Sequence, residues 1–311
     1  MSVYTPLSRE DIQTFLHDFA LPALVSFDEV QAGIENTNYR LHLQDGSIWF
    51  LTLFEHLTSS QLPYFMQLLD HLGQRGCAVA NPQKLRDSRL FDHLKDKPAA
   101  LFPCKSGTHP QAINAAQAHA AGAALARLHK AGKDFAHVRE NDRGYRWVQS
   151  IRNSGLVHLN KHDDQLMAAE ISWLSHALQN WTQLPRGICH GDLFPDNVLF
   201  DGEKISALLD FYNASTDVFA YDLAITLNAW CALNEELSAA MLAGYQTERV
   251  LDLAELEAIL PCRRLAALRF WLSRLIAVEH QKSASATTFK DPQEMCRLLL
   301  ALQNYSSTNK P

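Results

Sequence analysis

His190-Gly191-Asp192-Leu193-Phe194-Pro195-Asp196-Asn197-Val198-Leu199-Phe200, followed by Asp201-Gly202 and then Ile205-Ser206-Ala207-Leu208-Leu209-Asp210-Phe211, is the stretch on which the reading of this chain turns. Two apolar runs flank an Asp-Gly turn signal, the pattern of a β-hairpin. Folded about residues 202–205, the hairpin is expected to set Asn197 opposite Asp210, on strands about 5 Å apart. A carboxamide and a carboxylate then emerge at one end of it. Two such oxygen ligands suit Mg²⁺, which takes few protein ligands and completes its shell with water and phosphate oxygens. Asp192 precedes Asn197 in a loop that Pro195 keeps from being helical. A carboxylate there can accept a proton from a hydroxyl while that hydroxyl attacks the γ-phosphate of ATP. His190 reads as a brace for the loop. Taken singly, Asp and Asn beside a hairpin are turn formers, and Asp196 and Asp201 are read that way. The chemistry is carried by the composite His-x-Asp, Asn, hairpin, Asp.

Working outward, residues 8–18 read as a helix with Ser8 as N-cap and Asp11 at its third position. Residues 38–43 and 48–54 flank Asp45-Gly46, a hairpin signal. A helix follows over about 62–73, and 98–102 is a further short strand. From about Gln111 the character changes: alanine dominates 112–126, and helical patterns run over 164–181, 221–233 and 253–279, with the strand-rich island 187–211 among them. The organisation expected is a small β-rich lobe, 1–102, and a larger, mainly helical lobe, 103–311. Leu265, Leu268, Leu272 and Leu275 form a helical stripe read as core.

The chain has 311 residues, 47% of them hydrophobic and 20% charged, ordinary for a globular protein. A formal net charge of −6 argues against nucleic acid or an anionic membrane as a partner. The six cysteines form no C-x-x-C pair and are read as reduced thiols in a cytoplasmic protein. Residues 1–7 carry no signal-peptide pattern, and no apolar stretch reaches the length of a membrane span.

The island, His190-Gly191-Asp192 through Asn197 to Leu208-Leu209-Asp210-Phe211, resembles the aminoglycoside phosphotransferase and choline kinase superfamily, small-molecule relatives of the protein kinases. Further stretches look like the homoserine kinases of that superfamily: Gly33 to Tyr39, Phe50 to Glu55, Leu62 to Phe65, Asp210 to Ala214, Tyr221 to Asn228, and Arg269 to Leu272. The resemblance runs along nearly the whole chain. It implies an α+β, protein-kinase-like two-lobe fold, ATP and Mg²⁺ as cofactors, and transfer of the γ-phosphate to the hydroxyl of L-homoserine, giving O-phospho-L-homoserine for threonine biosynthesis. Asp192 would be the catalytic base and Asn197 and Asp210 the metal ligands. Asp222 would brace the catalytic loop. The loop with Gly33 and Asn36 would cover the ATP phosphates, and the backbone at Leu101 to Cys104 would meet adenine. One departure stands out: the third-strand lysine or arginine of the broader superfamily is replaced here by Thr52, with His56 a candidate cation nearby.

An amino-acid acceptor needs a cation for its carboxylate and an anion for its ammonium near Asp192. Arginine suits a carboxylate because its fork reaches both oxygens. Arg264 and Arg269 flank the leucine stripe, whereas Arg274 points away from it. Asp217 is the candidate for the ammonium. The competing readings are a kinase for another small alcohol (an aminoglycoside, choline or a sugar), a metal-dependent phosphohydrolase using His190, Asp192 and Asp196, and a nucleotide-binding relative without catalysis.

Overall fold

The computed structural model of the chain describes residues 4–30, 36–281 and 290–308. The strands are β1 Leu24–Val30, β2 Asn36–Leu43, β3 Ile48–Phe54, β4 Asp92–Leu94, β5 Lys97–Pro103, β6 Arg186–Cys189, β7 Val198–Asp201, β8 Lys204–Leu208 and β9 Ser215–Val218. The α-helices are α1 Arg9–Leu16, α2 Leu62–Gln74, α3 Ala115–Ala131, α4 Tyr145–Ser154, α5 Lys161–Ala177, α6 Phe219–Trp230, α7 Glu235–Glu248, α8 Leu253–Gln281 and α9 Pro292–Thr308. The chain divides into two compact units. The first comprises Met1–His109, Asp134–His137 and Val198–Tyr212, and the second the remainder.

In the first unit, a five-stranded antiparallel sheet runs in the order β1-β2-β3-β5-β4. The Asp45-Gly46 turn joins β2 to β3 as expected. Gly46 holds the positive φ of +82° that the turn needs, and Asp45 Oδ1 accepts the Ser47 N–H at 3.0 Å. Alternation then puts Tyr39, Leu41, Leu43, Leu51 and Leu53 in one core with Ile12, Phe15 and Phe19 from α1 and its exit. The capping box of α1 pairs Ser8 with Asp11, as the sequence predicts. β1 was not expected, because its exposed face and mixed pattern give no clean alternation.

β7 and β8 form the predicted hairpin in this same unit. The register shifts by one residue between Leu199 and Phe200, and the last ladder pair is Val198–Leu208. Asn197 and Asp210 lie just beyond the ladder, so their expected pairing is not part of it. The hairpin is anchored by Thr108 and Phe200, which exchange N–H···O bonds of 2.9 Å, and by the Leu208 N–H to the Ala78 carbonyl at 2.6 Å. Gly107, at φ +111°, passes so close that a Cβ would stand 2.5 Å from the Phe200 carbonyl oxygen.

In the second unit, β6 pairs antiparallel with β9, and helices supply the rest. The core gathers Tyr221 and Ile225 of α6, Leu265, Leu268, Trp271 and Leu272 of α8, and Leu299 and Leu302 of α9. The predicted stripe is thus core, with Leu275 packed at its edge. Asn114, through a capping box with Gln117, starts α3 slightly later than composition suggested. α4, α7, α9 and β9 had no strong sequence signal. Among the described residues no helix is long and apolar enough to cross a membrane. No disulfide joins any of the six cysteines.

α3 and α7 meet backbone to backbone. A Cβ on Gly122 would lie 2.1 Å from the Met241 carbonyl oxygen, and one on Gly244 would lie 2.0 Å from that of His119. Alanine in a free helix is favoured over glycine by about 1 kcal/mol, yet here it must push the helices apart. Gly122→Ala and Gly244→Ala should each lower stability by roughly 1–3 kcal/mol, the usual cost of overpacking. Urea unfolding checks this, and a midpoint at or above wild type would remove the close-contact account.

Candidate active site

The loop after β6 is held from below by one carboxylate. Asp222, in the first turn of α6, is wholly buried. Its Oδ2 accepts the backbone N–H of His190 at 2.7 Å and its Oδ1 that of Gly191 at 2.8 Å. Oδ2 also meets His129 Nε2 at 2.9 Å, while His129 Nδ1 meets the Tyr245 hydroxyl at 2.7 Å. Burial alone would push the Asp222 carboxyl up, but the hydrogen bond and charge of His129, the His190 ring and the Gly191 N–H outweigh it. Its pKa therefore lies below the ordinary value. Burial pushes His129 down, against the pull of Asp222.

The loop itself is tightly specified. Gly191 sits at φ +76°, and a Cβ there would stand 2.8 Å from the Asn213 carbonyl oxygen. The buried His190 ring takes the Asp192 N–H on Nδ1 at 3.3 Å, the bracing role read from the sequence. Trp230 Nε1 donates to the Leu193 carbonyl at 2.9 Å. The Asp192 carboxylate, half-buried, accepts from Asn213 Nδ2 at 3.3 Å. Asn197 ends the 3-10 turn Pro195–Asn197, and its Nδ2 donates to the Asp192 carbonyl at 2.8 Å. That bond fixes which way the amide faces and leaves Oδ1 as its acceptor atom. Asp196 pairs with Lys290 at the surface, as a turn residue would.

Asp210 belongs to the first unit, two residues beyond the end of β8. It adopts φ +58°, a left-handed conformation that aspartate tolerates better than most residues but at a cost. Of the residues expected at the nucleotide, Gly33 lies outside the described residues. Asn36 opens β2, its Oδ1 accepting the Glu55 N–H at 3.3 Å. Leu101 is buried in mid-β5, and its carbonyl accepts the Gln83 N–H at 2.7 Å. Cys104, with an exposed side chain, donates its N–H to the Ile48 carbonyl at 3.0 Å. Thr52 gives its hydroxyl to Asn38 Oδ1 at 2.7 Å, and His56 is exposed.

The acceptor candidates separate. Arg269 is buried beside the loop: Nη1 donates to the Gly191 carbonyl at 3.0 Å and Nη2 approaches Asn213 Oδ1 at 3.5 Å. Asp217 and Arg269 line one cavity, the Asp217 Oδ2 accepting from Asn141 Nδ2 at 2.8 Å and its Oδ1 from the Val218 N–H at 2.8 Å. Burial holds its carboxyl above the ordinary range. Arg264 is elsewhere. Its fork is closed on Glu170 at 2.7 and 2.6 Å and its plane lies over Trp173, so it is committed to the interior and does not reach the cavity. Helical periodicity placed both arginines at the edge of the stripe but could not show that Glu170 waited for one of them. Asn213 was missed as a functional residue. It bridges Asp192 to Arg269, and nothing in its spacing marks that role.

The model of the phosphotransferase enzyme family matches residues 26–259. Similar proteins along the chain include a homoserine kinase of Rhodopseudomonas palustris (strain BisA53), 39% identical over 99% of this chain and 96% of that one. A homoserine kinase of Neisseria meningitidis serogroup B (strain ATCC BAA-335 / MC58) is also 39% identical, covering 97% of this chain and 100% of its own. The chain belongs to the phosphotransferase enzyme family, in its homoserine kinase branch. Among solved structures, amicoumacin kinase hAmiN in complex with AMP-PNP, Ca²⁺ and Ami is similar with a TM-score of 0.71 at 16% identity, covering 96% of this chain and 94% of that one. That likeness concerns the fold, and it agrees with the α+β, protein-kinase-like architecture expected from the sequence.

The Asp222 anchor of this family member has a measurable consequence. An acid whose folded pKa is depressed stabilises the fold above its unfolded pKa, and that stability is lost as pH falls through the folded value. Asp222→Asn should cost roughly 2–4 kcal/mol at pH 7, because one oxygen that accepts buried donors is replaced by an amide N–H₂. The deficit should narrow only below the ordinary 3.8 of a carboxyl. Urea unfolding of both proteins across pH 3–7 tests this. A deficit independent of pH over that whole range would show that the charge is not what anchors the loop.

Proposed function

We propose that the enzyme transfers the γ-phosphate of ATP to the side-chain hydroxyl of L-homoserine, giving O-phospho-L-homoserine for threonine biosynthesis in the cytoplasm. The observation that carries this reading is the nearly full-length likeness to homoserine kinases. The geometry of the Asp192 loop supports it.

In this reading Asp192 accepts the hydroxyl proton as the oxygen bonds to the γ-phosphorus, and the bond from that phosphorus to the β,γ-bridging oxygen breaks to release ADP. Asn213 and the Asp222-anchored backbone hold the carboxylate in place. Asn197 Oδ1 and the Asp210 carboxylate are hard oxygen donors of the kind Mg²⁺ takes, and the bond from Asn197 Nδ2 to the Asp192 carbonyl leaves the correct atom of the amide for that task. Mg²⁺, when bound by them, would neutralise phosphate charge. The segment with Gly33 and Asn36 would hold the ATP phosphates, and the backbone near Leu101 and Cys104 the adenine. On the acceptor side, Asp217 and Arg269 share the cavity beside the loop and would receive the ammonium and carboxylate of the amino acid.

Asp192→Asn should lower kcat by roughly 10²- to 10⁴-fold with little change in KM for ATP, the scale of a lost general base. Wild-type turnover by the purified variant would remove the role. Asn197→Ala and Asp210→Ala should shift the Mg²⁺ dependence of turnover to higher concentration, Asp210→Ala further because it removes a full charge. If both titrations overlay wild type, the metal assignment fails.

The acceptor is tested by kcat/KM for L-homoserine against L-serine, choline and kanamycin in an ADP-release assay. L-Homoserine should lead. A preference for choline or kanamycin would replace the amino-acid reading with another small alcohol.

A further inference from the structure

A narrow cavity in the second unit is lined by Asn141, Arg143, Asn213, Asp217, Tyr221 and Arg269, among others. Its polar groups are not balanced. Arg269 is only 4% exposed, and with both terminal nitrogens directed at Gly191 and Asn213 its Nε–H has no acceptor among the described residues. Tyr221 is 2% exposed, and its hydroxyl likewise has no hydrogen-bond partner among them. Buried donors left unmatched in this way are rare and costly in native proteins.

The carboxylates of the cavity do not resolve this. Asp142 is taken by Arg139 Nη2 at 2.7 Å. Asp217 is taken by Asn141 and by the Val218 N–H. At the mouth stands Arg143, exposed, its backbone N–H bound to Asn141 Oδ1 at 2.9 Å so that the turn presenting it is fixed. Among the described residues its guanidinium forms no hydrogen bond and no ion pair. Burial pushes the pKa of Arg269 down; Tyr221, Asp192 and Asp142 work against that, and the charge of Arg143 adds to the effect of burial. Water could satisfy the Nε–H and the hydroxyl. A carboxylate could accept from both and also pair with the guanidinium of Arg143.

We propose that Arg143, together with the Nε–H of Arg269 and the hydroxyl of Tyr221, binds the carboxylate of the acceptor and so restricts the enzyme to amino-acid alcohols. This rests on the homoserine reading and names the group that enforces it. Arg143 has the free fork, and it can close on both carboxylate oxygens. Arg269 and Tyr221 each supply one donor from the buried side. Arg143 is a specificity residue and takes no part in the bond-making step.

The test compares L-homoserine with 3-aminopropan-1-ol, which keeps the hydroxyl and the amine but lacks the carboxylate. Arg143→Ala should raise KM for L-homoserine about 10- to 100-fold, the scale of a charge-assisted bond. Its kcat should fall by less than about threefold, with KM for ATP within twofold. The much poorer kcat/KM for 3-aminopropan-1-ol should be the same in both proteins. Arg143→Lys, a point charge without the fork, should fall between. Tyr221→Phe should raise KM for L-homoserine about 3- to 10-fold without lowering Tm, since the hydroxyl makes no bond in the free protein. An unchanged homoserine KM in Arg143→Ala overturns the proposal. So does an equal loss for both acceptors, or a rise in KM for ATP alone, which would mean that the anion is a phosphate. Calorimetric binding of 4-hydroxybutanoate, which keeps the carboxylate, is measured on the same proteins. Binding lost in Arg143→Ala supports the proposal and undiminished binding overturns it, even if the wild type turns over some other acceptor and the homoserine reading falls.

Discussion

Three donors converge on the buried carboxylate of Asp222: the backbone N–H groups of His190 and Gly191 and the ring of His129. A lone carboxylate without exposure would be held at heavy cost, and a glycine loop without a partner would not keep one conformation. Each solves the problem of the other. The chain of bonds continues from His129 to the Tyr245 hydroxyl, from Arg249 Nη1 to that hydroxyl, and from Arg249 to Glu255. One network therefore ties the loop to α3, α6, α7 and α8. Breaking it at any point leaves a buried donor or charge unmatched, which is why such networks rigidify the elements they join.

The close approach of α3 and α7 serves the same end. Gly122 and Gly244 let the two backbones touch, and His129 and Tyr245 leave those helices as partners in a hydrogen bond. Larger residues at the glycines would lengthen the path that the imidazole has to bridge. Packing and the position of the Asp192 loop are in this way one constraint, expressed once as van der Waals contact and once as a polar chain.

How far the sequence carried depended on whether a signal was local. The Ser8–Asp11 box, the Asp45-Gly46 turn, the hairpin at 198–208 and the leucine stripe of α8 all follow from residues close in the chain, and all are present. β1, with one exposed face, and β9, four residues long, carry too little pattern to be read. The register shift between Leu199 and Phe200 was equally hidden. At the site, His190 and Asp192 were singled out by their spacing, and Asp222 by the family resemblance. The partners that set their geometry were not. Asn213 lies 21 residues from the carboxylate it touches, and Glu170 lies 94 residues from the Arg264 it claims. Long-range polar pairing leaves no periodic trace, so two arginines on one helix looked equivalent when their fates were opposite.

Arg269 shows what that hidden pairing does to function. Its Nη1 holds the Gly191 carbonyl and its Nη2 faces the Asn213 amide that in turn holds Asp192, while its Nε–H remains in the cavity. One planar side chain thus touches the loop that carries the proposed base and the space where an acceptor would lie. Because the guanidinium is rigid, its three nitrogens move together. A ligand that engaged Nε would also have to settle the bonds made by the other two, which in the proposed reading would join acceptor binding to the placement of Asp192. Removing Arg269 would confound the two effects, raising KM and lowering kcat at once. Arg143 has no such tie to the loop. Burial separates the two arginines: the enclosed one has spent its fork on the protein, and the exposed one, as proposed, would keep its fork for a ligand.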